Sequence, residues 1–145
     1  MASGWNVTID CACPKELAAF WALALGYVDA PHPDGFTSWE DWLRANAVPE
    51  EEWGDGAYLV DPSGSGPNLS FLKVPEPKTV KNRLHIDINV GGGRQVPWDE
   101  RWPRVQEEVD KLTRAGATIF REFELDGDPD HVWMNDPEGN EFCVV

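Results

Sequence analysis

Two stretches of the chain alternate apolar and polar residues with the period of a strand, and both carry an Ile-Asp pair. In VTIDCACP, Val7, Ile9 and Cys11 fall on one face and Thr8 and Asp10 on the other. In RLHIDINV, Leu84, Ile86, Ile88 and Val90 share a face, and His85, Asp87 and Asn89 share the opposite one. The alternation predicts strands over about residues 5–11 and 83–90, with the apolar face of each turned under a helix.

After each strand the period lengthens to that of a helix. Pro14 suits a first helical position, and Leu17, Phe20, Trp21, Ala24 and Leu25 form a stripe that ends at Gly26. In WPRVQEEVDKLTRAG, Trp102, Val105, Val109 and Leu112 do the same before Gly116. Three strand-like segments follow in the second half, ATIFREF, HVWMN and NEFCVV, the last two joined by the tight turn DPEGN. The first half answers with AYLVD and NLSFLKV. Before them it inserts GFTSWEDWLRANAVPEEEWGDG, where Thr37 and Glu40 suit a capping box and Trp39, Trp42 and Leu43 an apolar face. Trp39, Trp42 and Trp53 of this insertion read first as anchors that pin it down, and alternatively as a lid over a cavity.

The order repeats. Ile9-Asp10 and Ile86-Asp87 lie 77 residues apart, and Asp61-Pro62 and Asp136-Pro137 lie 75 apart. Two features recurring at nearly one offset indicate a duplicated module. The chain therefore reads as α+β, with two tandem βαβββ modules. Module 1 covers about 5–74 and module 2 about 83–145, joined by a linker of two prolines over about 75–82.

Composition narrows the function classes. A chain of 145 residues with 41% hydrophobic and 26% charged residues suits a folded globular protein. No apolar run approaches the ~20 residues that span a bilayer. No basic segment followed by an apolar stretch opens the chain, so a cytoplasmic location is expected. A net charge of −14 argues against nucleic acid and anionic membranes as partners. It leaves plain solubility, or attraction of a cationic ligand. The charge is uneven: Lys15 and Arg44 are the basic residues up to Leu72, and Lys73, Lys78, Lys81 and Arg83 then crowd together. Cys11, Cys13 and Cys143 lack zinc-ligand spacing and read as small buried thiols. VGGGRQ lacks the Lys-Ser/Thr of a phosphate loop, and no nucleophile motif is present.

Alternation in EFCVV puts Glu141, Cys143 and Val145 opposite Phe142 and Val144, and in HVWMN it groups His131 with Trp133. A twofold βαβββ repeat with LHIDINV opening its second half and HVWMNDPEGNEFCVV closing it resembles the vicinal oxygen chelate superfamily. Glyoxalases, extradiol dioxygenases and bleomycin-resistance proteins belong to it. The segments AAFWALALGY and PKTVKNRLHIDI are similar to those of its glyoxalase-like members. The resemblance spans essentially the whole chain, and it implies mixed sheets that curl around a central cavity with the helices outside.

It also implies site residues. Metal-dependent members take ligands from the first and last strands of the modules, which here are His85 and Glu141, with Thr8 and Ser70 at the duplicate positions. Neither hydroxyl is a good ligand for a borderline cation, so half of the set is missing. The first reading is therefore metal-free: a cavity that binds a small organic molecule, with His85 and Glu141 as a proton-transferring pair. Thr8, Ser70, Asp87, Asp10, Cys143 and Trp133 are the further ligand contacts. One alternative is a lyase, isomerase or dioxygenase-like enzyme with a divalent metal on His85 and Glu141, completed by Asp87 or Asp10. Another is an acidic binding protein that sequesters a cationic drug or metabolite. The partner expected is a small molecule, and the chain a monomer or homodimer.

Overall fold

The apolar stripe read from LAAFWALAL becomes α1 (Pro14–Leu25), which follows β1 (Asn6–Cys11) after a two-residue turn. The computed structural model describes residues 3–145. Pro14 stands at the start of α1, where its missing N–H costs nothing. Gly26 ends it at φ 70°, a left-handed conformation that glycine adopts without a Cβ clash. Leu17, Phe20, Trp21 and Ala24 are buried, and α1 lies against β3 (Gly56–Val60) and β4 (Asn68–Lys73). Burial of each large apolar side chain on this face contributes roughly 1.5–3 kcal/mol.

The first module has the four strands of the βαβββ plan, one of which no strand-like segment of the sequence locates. β2 (Val28–Asp29) leaves α1 directly and pairs antiparallel with β3. Two residues with no alternation give no periodic signal. The resulting four-stranded sheet has the order β1-β4-β3-β2, with β1 parallel to β4. In the insertion, α2 (Trp39–Ala45) starts one residue later than the expected capping box. Its cap is Ser38, whose Oγ accepts from Asp41 N–H at 3.0 Å, while Thr37 donates to the Asp41 carboxylate. The Trp39 and Trp53 indole N–H groups donate to Ala30 and Val48 carbonyls, both at 3.0 Å, and Trp39 stacks on Tyr58. Trp39 thus ties the insertion to its own module, whereas the Trp53 bond closes within the insertion itself.

The second module repeats the plan. Its sheet has the order β5-β8-β7-β6, built from β5 (Asp87–Ile88), β6 (Thr118–Leu125), β7 (Asp128–Asn135) and β8 (Glu141–Val144), with β5 parallel to β8. Trp102, Val105, Val109 and Leu112 of α3 (Trp98–Arg114) are buried, and α3 packs on β6, β7 and β8. The helix begins a turn before the stretch that shows the stripe, so Pro103 sits inside it. β6 and β7 turn at Asp126-Gly127, both at positive φ, the conformation of a tight hairpin.

Two expectations are corrected. The strand predicted over 83–90 is regular only at Asp87–Ile88, and Leu84, placed by alternation on the covered face, is 87% exposed. The parallel ladder begins only at Ile86, whose carbonyl accepts from Cys143 N–H, so Leu84 lies before the segment that the sheet aligns. Of the cysteines, Cys11 is buried, Cys143 half-buried and Cys13 exposed, so Cys13 is not a core thiol. The chain divides into two compact units at Pro77/Lys78, inside the expected linker. No helix among the described residues is long and apolar enough to cross a membrane.

Candidate functional site

The duplication fixes the strand register at the site. In the first module Thr8 pairs with Ser70 and Asp10 with Leu72 across β1 and β4. In the second, Asp87 pairs with Cys143 and Ile88 with Val144 across β5 and β8. The rung that carries an aspartate and a leucine in module 1 thus carries an aspartate and a cysteine in module 2. Backbone bonds from Cys143 N–H to Ile86 and from Val145 N–H to Ile88 lock this register. On β7, Trp133 stands opposite Cys143. The burial pattern of β7 and β8 alternates as predicted: Val132, Met134, Phe142 and Val144 are buried, and His131, Trp133, Glu141 and Cys143 are half-exposed. The polar face of the second sheet therefore reads Asp87, Cys143 and Trp133 across three strands.

On that face the second module forms a cleft of about 510 Å³, with His85, Asp87, Cys143, Arg94, Arg101 and His131 in its walls. His85 and Asp87 are exposed, so the cleft opens to solvent. At one end His85 Nδ1 lies 3.0 Å from Asp87 Oδ1. One ligand-type atom from each of His85, Asp87 and Cys143 falls within 4.8 Å of the other two. Burial pushes the Cys143 thiol up to about 11, and the neighbouring Asp87 carboxylate adds to the effect. The resting thiol is thus protonated.

At the other end stands Asp130, 4% exposed. Its carboxylate accepts from Arg94 Nη2 at 2.8 Å and Arg101 Nη2 at 2.9 Å, and it lies 3.0 Å from His131 Nδ1. The Arg94 hydrogen bond, with those of His131 and Arg101, holds its carboxyl well below the usual range despite burial. An aromatic wall adjoins it: Phe123 stacks on His131 with centroids 4.7 Å apart, and Phe120 packs on Trp133 at 4.6 Å. Gly92 and Gly93, both at positive φ, turn the chain from β5 toward α3 and so bring Arg94 to Asp130.

The predicted residues divide accordingly. His85, Asp87 and Cys143 come together on the cleft, with Trp133 across the ladder from Cys143. Thr8 and Ser70 are neighbours on the first module's sheet, with Asp10 one pleat along. Glu141 is not hydrogen-bonded to His85. Its carboxylate accepts from Asn82 N–H at 2.7 Å and pairs with Lys78 and Lys81 at 3.6 and 4.0 Å. Burial raises the Glu141 carboxyl, but the Asn82 bond and the two lysines outweigh it and leave the group below its ordinary value. The carboxylate beside His85 is Asp87. The lysine cluster of the linker thus has a use: Lys81 also lies over the Trp133 ring at 4.1 Å.

Sequence reasoning missed Arg94, Arg101 and Asp130. A signal was present: in DPDHVWMN, Asp130 takes the covered side of the alternation with Val132 and Met134, where a charge persists only if paired.

With this geometry in place, comparison with known proteins assigns the chain. Residues 6–145 match the profile of the glyoxalase-like domain. The chain belongs to the glyoxalase-like domain family.

Solved structures of the glyoxalase/bleomycin resistance/dioxygenase superfamily share its fold. An enzyme of that family from Burkholderia phytofirmans superposes with a TM-score of 0.58 at 15% identity, over 96% of this chain and 94% of that one. A possible glyoxalase from Bacillus cereus gives 0.60 at 12%, over 100% and 99%. The fosfomycin resistance protein FosX from Listeria monocytogenes, complexed with Mn(II) and 1S,2S-dihydroxypropylphosphonic acid, gives 0.59 at 12%, over 99% and 90%. At these identities the likeness establishes the fold and nothing finer. Curated proteins give no match.

The metal set implied for the glyoxalase-like chain does not fit its residues. Thr8 and Ser70 offer neutral hydroxyls, and the Glu141 carboxylate is already neutralised by two lysines and a backbone N–H.

Proposed function

We propose that this glyoxalase-like protein binds a small oxygen-bearing organic molecule in the second-module cleft. The observation that carries the reading is the His85–Asp87 pair, 3.0 Å apart in the wall of a cleft of about 510 Å³. That volume suits a small ligand. His131, with Phe123 stacked on it, and Val145 supply surface for its body, and His85 supplies the polar contact for its oxygen. With Asp87 accepting from Nδ1–H, the ring turns its Nε2 lone pair outward, ready to take a proton from the ligand and return it. Asp87 thereby fills the role that the sequence pattern suggested for Glu141.

A panel of small hydroxy, oxo and epoxy acids, screened by NMR with the His85 and His131 ring signals observed, tests this. A binder is expected to shift both rings, and the His85→Ala variant to lose it. A panel without binders, or binders that leave both rings untouched, would sink the reading.

A further inference from the structure

The pole of the cleft opposite His85 carries more positive charge than its one carboxylate balances. Arg94 and Arg101 both converge on Asp130, whose two oxygens between them meet Arg94 Nε and Nη2, Arg101 Nη2 and His131 Nδ1. Four neighbours fill the acceptor sites of a carboxylate. We propose that the surplus charge, presented by Arg94, receives the carboxylate of an organic acid whose hydroxyl or carbonyl oxygen reaches toward His85. That acid is the ligand of the site proposed above, and the assignment rests on that reading.

Three observations support it. Arg94 is held by one edge only: its Nε and Nη2 lie 3.3 and 2.8 Å from the Asp130 oxygens, and its Nη1 makes no hydrogen bond among the described residues. A guanidinium carries five N–H donors in a fixed fork, so the edge left over matches a second carboxylate through two bonds. The arginine is also positioned in advance. It is largely exposed in the cleft wall, yet its anchor Asp130 is buried and fixed in turn by Arg101. Thirdly, the other oxygens of the walls are engaged: Asp87 lies beside His85, and the Val145 oxygen accepts from Val90 and Gly91 N–H.

Charge and spacing select the acid. The cleft is polarised, because Arg94 and Arg101 outweigh Asp130 at one end and Asp87 is the carboxylate of the other. An acid is oriented by that field, with its carboxylate toward Arg94 and its neutral oxygen toward His85. The net charge of −14 does not forbid an anion here, since attraction and repulsion between exposed charges are screened beyond ~10 Å at 0.1 M salt. Strand geometry gives the length. His131 lies two residues along β7 from the rung of Asp87, Cys143 and Trp133, ~7 Å along the sheet, and two strands across from Asp87, ~10 Å. The two ends are thus ~12 Å apart between backbones, and side chains from both shorten what the ligand must span. An acid with several bonds between its carboxylate and its second oxygen fits, and the His131 ring, stacked on Phe123, gives its carbon chain a flat side to lie on.

The probes are γ-hydroxybutyrate, levulinate and para-hydroxybenzoate, each compared with its primary amide, which keeps the shape and loses the charge. Titrations of full-length protein are read by NMR from the Arg94 Nε–H signal. At least one acid is expected to shift that signal and to bind at least ~10-fold tighter than its amide, the scale of a hydrogen bond to a charged group. Arg94→Gln, at an exposed position and folded by circular dichroism, loses the preference for the acid and keeps the affinity for the amide. Arg94→Lys, which retains the charge without the fork, falls between the two. Amides that bind as well as the acids, a preference that survives in Arg94→Gln, or a bound acid that leaves the Arg94 signal unmoved would each overturn the proposal while the cleft remains a binding site. Absence of binding by every acid and every amide would overturn it together with the reading on which it rests, so the two failures are distinct.

Discussion

His85 Nδ1 stands 3.0 Å from Oδ1 of Asp87, two residues along the same segment, and Glu141 makes no hydrogen bond to that ring. A carboxylate on one ring nitrogen decides which tautomer the neutral imidazole adopts, and hence which nitrogen faces the cleft. The orientation of the His85 ring is therefore set by Asp87 and not by Glu141.

The first prediction concerns that tautomer. In the wild type at pH 8 the neutral His85 ring carries its proton on Nδ1, where Asp87 accepts it. In Asp87→Asn the amide can donate to Nδ1 and the proton moves to Nε2. Ring nitrogen chemical shifts distinguish the two forms, and identical shifts in wild type and variant would remove the assigned role of Asp87.

A second prediction follows from Cys143. Its thiol is raised from 9.0 to about 11 by burial and by Asp87, which leaves ~100-fold less thiolate at pH 8 than an unshifted cysteine has. Iodoacetamide should therefore modify exposed Cys13 first and Cys143 far more slowly, as peptide masses will show. The sign for stability follows: a raised thiol stabilises the fold below about 9, and this contribution disappears as pH rises through about 11. Equal labelling of both cysteines at pH 8 would contradict the burial of Cys143.

Much of this was legible in the sequence because period and duplication are strong signals. The stripe of α1, the stripe of α3 and the alternation of β7 and β8 all appear in the fold, since one face of each must be buried. The repeat likewise put Thr8 and Ser70 at the duplicate positions of His85 and Glu141, and the structure pairs Thr8 with Ser70. What the repeat could not give was the partner of a charged side chain. Alternation says which face Glu141 occupies, but not that Asn82, Lys78 and Lys81 reach it from an irregular linker. Arg94 was obscure for the same reason, as its path to Asp130 runs through a glycine loop without periodicity.

The corrected strand start yields a third prediction. Leu84 is 87% exposed whereas Ile88, on the same predicted face, is 6% exposed. Leu84→Ser should change stability by less than about 0.5 kcal/mol. Ile88→Ala should cost ~2–5 kcal/mol, through lost burial and the cavity left behind. Urea denaturation of both variants measures the contrast, and comparable losses would restore Leu84 to the core.

The last prediction concerns Asp130. Its carboxylate is 4% exposed and neutralises Arg101, whose side chain is 12% exposed, and Arg94, whose side chain is 66% exposed. Asp130→Asn leaves the Arg101 charge half-buried without its counter-ion and should destabilise the protein by ~3 kcal/mol at pH 7. Arg94→Ala, which removes a solvent-screened partner, should cost under ~1 kcal/mol. The pH dependence gives an independent check. A lowered carboxyl stabilises the fold above its ordinary value of 3.8, and this contribution is lost as pH falls toward the lowered value. The gap between wild type and Asp130→Asn should therefore narrow between pH 4 and pH 2, because the wild type loses a contribution that the variant never had. Urea midpoints for the two proteins at pH 7 and pH 3 decide the matter, and a gap that stays constant would show that Asp130 is not held as a carboxylate by Arg94 and Arg101.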